Sequence, residues 1–110
     1  PRTLVKKVDF ISAPGISPPN VYRPGGPQYL ITNKALFSFN RKDKNFKIEK
    51  INPDFTLDEV IKSTGFEFKT NKNLKFFTMP SKKRIVILRD LIAPKVLNFY
   101  PQFAKKLWFN

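Results

Sequence analysis

Carboxylates are the only side chains of this sequence suited to acid–base or nucleophilic work near neutral pH. There are eight: Asp9, Asp43, Glu49, Asp54, Asp58, Glu59, Glu67 and Asp90. The sequence has no histidine, which removes the usual general base and the commonest metal ligand. It has no cysteine, which excludes disulfides, thiolate catalysis and cysteine zinc sites. Asp58 and Glu59 are explained better as the acidic start of a helix than as an acid–base pair. Asp43 reads as a turn residue, and Glu49 and Glu67 fall on the polar sides of strands. Asp9 sits near the end of a strand beside a long loop and is the one carboxylate placed where an active site is expected. It has no partner. No Gly-rich phosphate loop, metal cluster or nucleophile–base pair is written in the chain. By itself the sequence does not read as a complete enzyme.

The elements that must position these groups are β-rich. Residues 3–10 are β-branched and apolar and predict a strand running on to about Ile11. Next comes a segment of roughly 16 residues with Pro14, Gly15, Pro18, Pro19, Pro24, Gly25, Gly26 and Pro27, longer than ordinary connections. Neither helix nor strand ladder persists through it. Residues 28–32 and 35–40 predict strands, and 46–51 alternates with period two. The strands flanking the polar turn 41–45 predict an antiparallel hairpin with Phe46, Ile48 and Ile51 inward.

The best-formed local signal is Phe55 to Phe66. Thr56 and Glu59 are spaced as a capping box, with Phe55 and Val60 as its hydrophobic staple. Gly65 is expected to end this helix in the left-handed conformation. About two turns do not hold themselves together in water, so strands must pin the helix on both sides. Residues 66–69 predict a short fifth strand and 71–75 a loop. From Lys83 to Leu88 propensity favours a strand. Ser81 as a cap, with Leu88, Leu91 and Ile92 at helical spacing, favours a helix over 81–92, and Pro94 is expected to end either. Lys95 to Asn110 reads as a basic aromatic docking tail, because Tyr100, Phe103, Trp108 and Phe109 are awkward in water.

Length and composition describe one domain with a modest core: 110 residues, 41% hydrophobic, 12 Phe. No apolar run is long enough for a membrane span and no signal peptide is visible, so a cytoplasmic chain is expected. The net charge of +13 is uneven, with nine basic residues against one acidic beyond residue 70. Such a tail suits a polyanion, and interleaved aromatics suit single-stranded nucleic acid. Compositional drift is the plainer reading, since Lys outnumbers Arg 16 to 5 and specific nucleic-acid contacts lean on Arg.

Several short motifs recur in one order: Val-Asp-Phe-Ile-Ser-Ala-Pro-Gly at 8–15, Tyr29 to Phe39, Thr-Leu-Asp-Glu-Val at 56–60, and Ser-Thr-Gly-Phe-Glu-Phe at 63–68. Together they resemble the C-terminal part of the β subunit of family I CoA-transferases, of the glutaconate and 3-oxoacid CoA-transferase type. The resemblance covers about residues 3–70, and Leu88 to Pro94 is similar to that family's closing helix. It implies an α/β fold with an open mixed sheet of the CoA-transferase type, here a β-rich partial domain. That domain would take residues 1–94, with the capped helix 56–65 and the helix 81–92, and leave 95–110 as the tail.

The resemblance also implies a chemistry. In that family a β-subunit glutamate attacks an acyl-CoA thioester, and CoA passes to another carboxylic acid through covalent glutamyl intermediates. The family's glutamate and oxyanion segments precede the matched region, so the chain is expected to lack the nucleophile and to be inactive alone. Coenzyme A is the expected substrate, with no metal. A partner CoA-transferase subunit or a second copy of the chain is the expected partner, with no membrane. Ligands of open α/β sheets bind beyond the carboxyl ends of strands. The loop after Ile11 would leave such an end, which makes Ser12, Gly15, Asn20 and Arg23 the candidates to line a CoA or acyl pocket. A small basic nucleic-acid-binding protein is the alternative.

Overall fold

The computed structural model describes residues 2–109. It contains strands β1 (Tyr29–Ile31), β2 (Ala35–Asn40) and β3 (Asn45–Ile51), helix α1 (Leu57–Ser63), and strands β4 (Phe68–Lys69) and β5 (Lys75–Phe76). Helical segments α2 (Lys82–Ile87), a π-helical turn (Leu88–Ile92), α3 (Ala93–Phe99) and α4 (Pro101–Trp108) follow. The chain divides into two compact units, the first ending at Phe77 and the second beginning at Thr78. This division follows packing; the division at residue 94 followed resemblance.

The first unit is an open mixed sheet of the α/β class. β1, β2 and β3 form an antiparallel meander, and β4 runs parallel to β3. β5 is also parallel to β3, pairing Lys75 and Phe76 with Lys50 and Ile51, beyond the Phe68 and Lys69 pairs with Phe46 and Lys47. β4 and β5 are therefore one edge interrupted by a loop, with residues 70–74 opposite only Ile48 and Glu49. Lys75, expected in the loop, belongs to the resumed strand. Between β3 and β4 the chain crosses over through α1, as a parallel pair requires.

The inward pattern of β3 depends on a bulge. Leu36 pairs with Lys50 but Phe37 pairs with Ile48, which leaves Glu49 as the extra residue. Ser38 Oγ donates to Glu49 Oε1 at 2.6 Å. The bulge lets Ile48 and Ile51, three residues apart, face the same side, where Ala35 and Phe37 lie opposite them. These four and Val60 of α1 form the buried core, with Leu30, Phe46, Phe55, Leu57, Phe68 and Leu74 packed against it. Phe37 is wholly buried and meets Phe68 edge-on at 5.1 Å between ring centroids.

α1 starts as its sequence dictates. Glu59 N donates to Thr56 Oγ1 at 3.3 Å, and Thr56 N donates to Glu59 Oε2 at 2.8 Å. Both halves of the capping box are present. Its end differs from expectation. Thr64, not Gly65, is the C-cap, in extended conformation, and Gly65 is not among the described residues with positive φ. The helix stops because Thr64 folds its hydroxyl back to Val60 O at 2.8 Å while Gly65 N turns to Leu4 O at 2.6 Å.

The strand expected over residues 3–11 does not form. A strand needs a partner backbone, and the Gly65–Leu4 bond is the one backbone link from this segment seen among the described residues. Val8, Phe10 and Ile11 are exposed.

In the second unit, 82–99 is continuously helical, so the strand alternative for Lys83 to Leu88 is excluded. Ser81 caps α2 as expected, accepting from Arg84 N at 3.4 Å. Pro94 does not end the helix. The π-helical turn shifts the backbone bonding by one residue, with Ala93 N donating to Leu88 O, and Pro94 falls in the first turn of α3, where no N–H is required. The break comes at Tyr100, before Pro101 opens α4. Trp108 stacks edge-on against Phe103 at 5.7 Å, while Phe99 and Tyr100 stay exposed.

Candidate functional site

The turn Thr32–Asn33–Lys34 joins β1 to β2 at the end of the sheet where β3 also finishes. Thr32 builds it: its Oγ1 accepts from Lys34 N at 3.2 Å and Ala35 N at 3.0 Å. Asn52, the residue after β3, fixes the turn from outside, donating from its backbone to Lys34 O at 2.8 Å and from its side chain to Asn33 O at 2.9 Å. The turn thus stands at the carboxyl end of the parallel strand β3, the side on which open α/β sheets bind ligands.

A cavity of about 610 Å³ opens here, lined by Arg2, Thr3, Leu4, the 32–34 turn, Val60 and Lys62–Thr64 of the α1 end. Its volume is in the range of small-molecule sites. Three side chains of the lining are cationic: Arg2, Lys34 and Lys62. No carboxylate is among them. Lys34 is half-buried and fixed, with Nζ donating to Ser63 Oγ at 2.5 Å and lying 5.1 Å from the centre of the Phe55 ring. Ser63 passes its own proton to Glu59 O at 2.7 Å. The hydroxyls of Thr32, Ser63 and Thr64 are thus engaged in building the wall.

Glu59 is the acidic neighbour of this group. Its carboxyl is held below its ordinary value, first by the Thr56 backbone N–H, then by the Thr56 hydroxyl, with smaller help from the charges of Lys34 and Lys62. It serves the cap, as its spacing predicts.

The loop residues singled out from sequence lie elsewhere. Ser12, Gly15, Asn20 and Arg23 are all exposed on the segment before β1, and none lines this cavity. The loop leaves no strand end, because residues 3–11 are not a strand. It is nonetheless shaped. Arg23 donates from Nη1 to Pro14 O and to Ser17 Oγ at 3.3 Å, which brings it beside Gly15. Gly25 and Gly26 take positive φ, and an added Cβ at Gly26 would meet Gly15 O at 3.2 Å. Asp9 is exposed. No group of three or more His, Cys, Asp or Glu is placed to hold a metal among the described residues.

Comparison with known proteins adds one relationship to this geometry. The chain is similar to part of a CoA-transferase. It is 28% identical over 100 residues to the β subunit of glutaconate CoA-transferase from Acidaminococcus fermentans, covering 84% of this chain and 37% of that relative. The chain thus spans little more than a third of the curated relative it matches. No family model and no solved structure matches it. A relationship to CoA-transferase β subunits is in keeping with the order of motifs in the sequence. No helix is long and apolar enough to cross a membrane among the described residues.

Sequence reading missed Arg2, Lys34 and Lys62 as neighbours. Asn33-Lys34 was legible only as a polar break between strands. The readable signal was Thr32 three residues before Ala35, a hydroxyl turn that fixes the backbone carrying Lys34.

Proposed function

We propose that the chain is part of a protein like the CoA-transferase β subunit and handles coenzyme A thioesters within a larger assembly. The similarity to the glutaconate CoA-transferase β subunit over 84% of the chain carries this reading. In it, CoA moves from an acyl-CoA to a carboxylic acid through a glutamate that another part of the assembly supplies. The chain's own three glutamates support that division of labour. Glu59 is committed to the cap, Glu49 accepts from Ser38 inside the sheet bulge, and Glu67 is exposed beside β4.

The proposal takes residues 1–94 as the β-subunit-like part, with a sheet of the CoA-transferase type, and 95–110 as its basic aromatic tail. It places the protein in the cytoplasm, with coenzyme A as substrate and no metal in the chemistry. The partner is a complementary CoA-transferase subunit or a second copy of the chain. Ser12, Gly15, Asn20 and Arg23 border the acyl-CoA in the assembly, a role supported by the Arg23 ties that pre-shape their loop. The similarity carries nothing toward the nucleic-acid alternative.

An assay of CoA transfer from an acyl-CoA to acetate tests the reading. The purified chain alone is expected to give no turnover; turnover by the chain alone refutes the borrowed glutamate.

A further inference from the structure

Arg2, Lys34 and Lys62 reach one cavity from three separate parts of the chain, and among the described residues none of them forms an ion pair with a carboxylate. A comparison with the other broad cleft sharpens this. That cleft, about 720 Å³ beside the turn between β2 and β3, is also rich in Lys and Arg, but Glu49 lies in its lining. Its Lys69 is already bound to Asp43 at 3.3 Å. Charge there is met by an ion pair within the protein. At the carboxyl end of β3 the opposing carboxylate, Glu59, is engaged in the Thr56 cap and, among the described residues, forms an ion pair with none of the three cations.

We propose that the cavity between the Thr32–Lys34 turn and the end of α1 is an anion site that takes the phosphate groups of a nucleotide-type ligand, with Lys34 as its fixed centre and Arg2 and Lys62 as its exposed arms. Lys34 suits the central place because Ser63 and the Phe55 ring already hold its ammonium, leaving two N–H groups to donate at little further entropic cost. Arg2 offers a planar fork matched to phosphate oxygens. Glu59 is the carboxylate that opposes them, and its oxygens are turned to the Thr56 cap. The volume exceeds what one phosphate needs and suits a diphosphate with part of its organic carrier. That the natural ligand is the phosphorylated end of coenzyme A rests on the transferase reading; capture of a diphosphate does not.

The test is calorimetric titration of the whole chain with pyrophosphate, coenzyme A and pantetheine, which lacks phosphate. Pyrophosphate and coenzyme A are expected to bind one per chain and to compete, and pantetheine to show no binding. Lys34→Gln is expected to weaken pyrophosphate about tenfold, as loss of one fixed charge-assisted contact does. Lys62→Gln, an exposed change that leaves the core untouched, is expected to weaken it about two- to fivefold. Lys83→Gln on α2 is the charge-matched control and should leave binding unchanged. No pyrophosphate binding, or an equal loss with Lys83→Gln, overturns the site. Pyrophosphate binding that coenzyme A does not share keeps the site and removes coenzyme A as its ligand.

Discussion

Lys34 Nζ donates to Ser63 Oγ across 2.5 Å, tying the β1–β2 turn to the last residue of α1, 29 positions later in the chain. This one bond joins the two walls of the cavity. Ser63→Ala should therefore destabilise the protein by about 0.5–1.5 kcal/mol, the ordinary worth of such a hydrogen bond. Urea unfolding of the two proteins side by side measures it, with an unchanged slope expected.

Phe37 carries the core of the first unit, wholly buried between Phe46, Phe66 and Phe68. Phe37→Ala should cost about 3–5 kcal/mol, the usual range for a buried aromatic truncated to Ala. Loss of dispersed methyl signals from Ile48, Ile51 and Val60 in an NMR spectrum would register the loosened core.

The cap at Thr56 should respond to mutation and to pH. Thr56→Ala removes the hydroxyl that Glu59 N donates to and should cost about 1 kcal/mol. Because the Glu59 carboxyl is held below its ordinary value, folding is favoured wherever the unfolded glutamate is already ionised. That contribution is present above the unfolded value and is lost as pH falls through the lower, folded one. Glu59→Gln should flatten this part of the pH–stability curve, and carbon-detected NMR titration of Glu59 reads the depressed value directly.

The shaping of the long loop makes another prediction. Arg23→Ala frees the 14–17 segment from its two ties, so the backbone order parameters of Gly15 and Ile16 should fall without loss of the sheet. Nitrogen-15 relaxation reads this, and unchanged slow amide exchange in β2 and β3 would distinguish it from global unfolding.

Much of the first unit was legible in the sequence because local rules and packing agreed there. The capping box and the hairpin of β2 and β3, with Phe46 and Ile48 inward, formed as their spacing predicts, while Ile51 joins the inward set only through the bulge at Glu49. The failures share a cause, which is that a partner decided the outcome. Residues 3–11 have strand propensity but no neighbouring backbone ladder. Gly65 was free to stop a helix, but Thr64 had already turned its hydroxyl to Val60 O. Pro94 reads as a stop, and only the π-helical turn before it shows how a helix runs through to Phe99. The cavity was hidden for the same reason. Arg2, Lys34 and Lys62 are far apart in sequence, and they meet through the meander, the crossover and the Gly65–Leu4 bond that ties the N-terminal segment to the end of α1.

The central claim is that this chain serves CoA transfer as one part of an assembly. The direct test is to tag the chain in its own cells, purify the assembly it forms, and follow CoA transfer from an acyl-CoA to carbon-13 acetate. The account predicts labelled acetyl-CoA from the assembly and none from the isolated chain. An assembly that forms no labelled acetyl-CoA, or an isolated chain that transfers as fast, would contradict it.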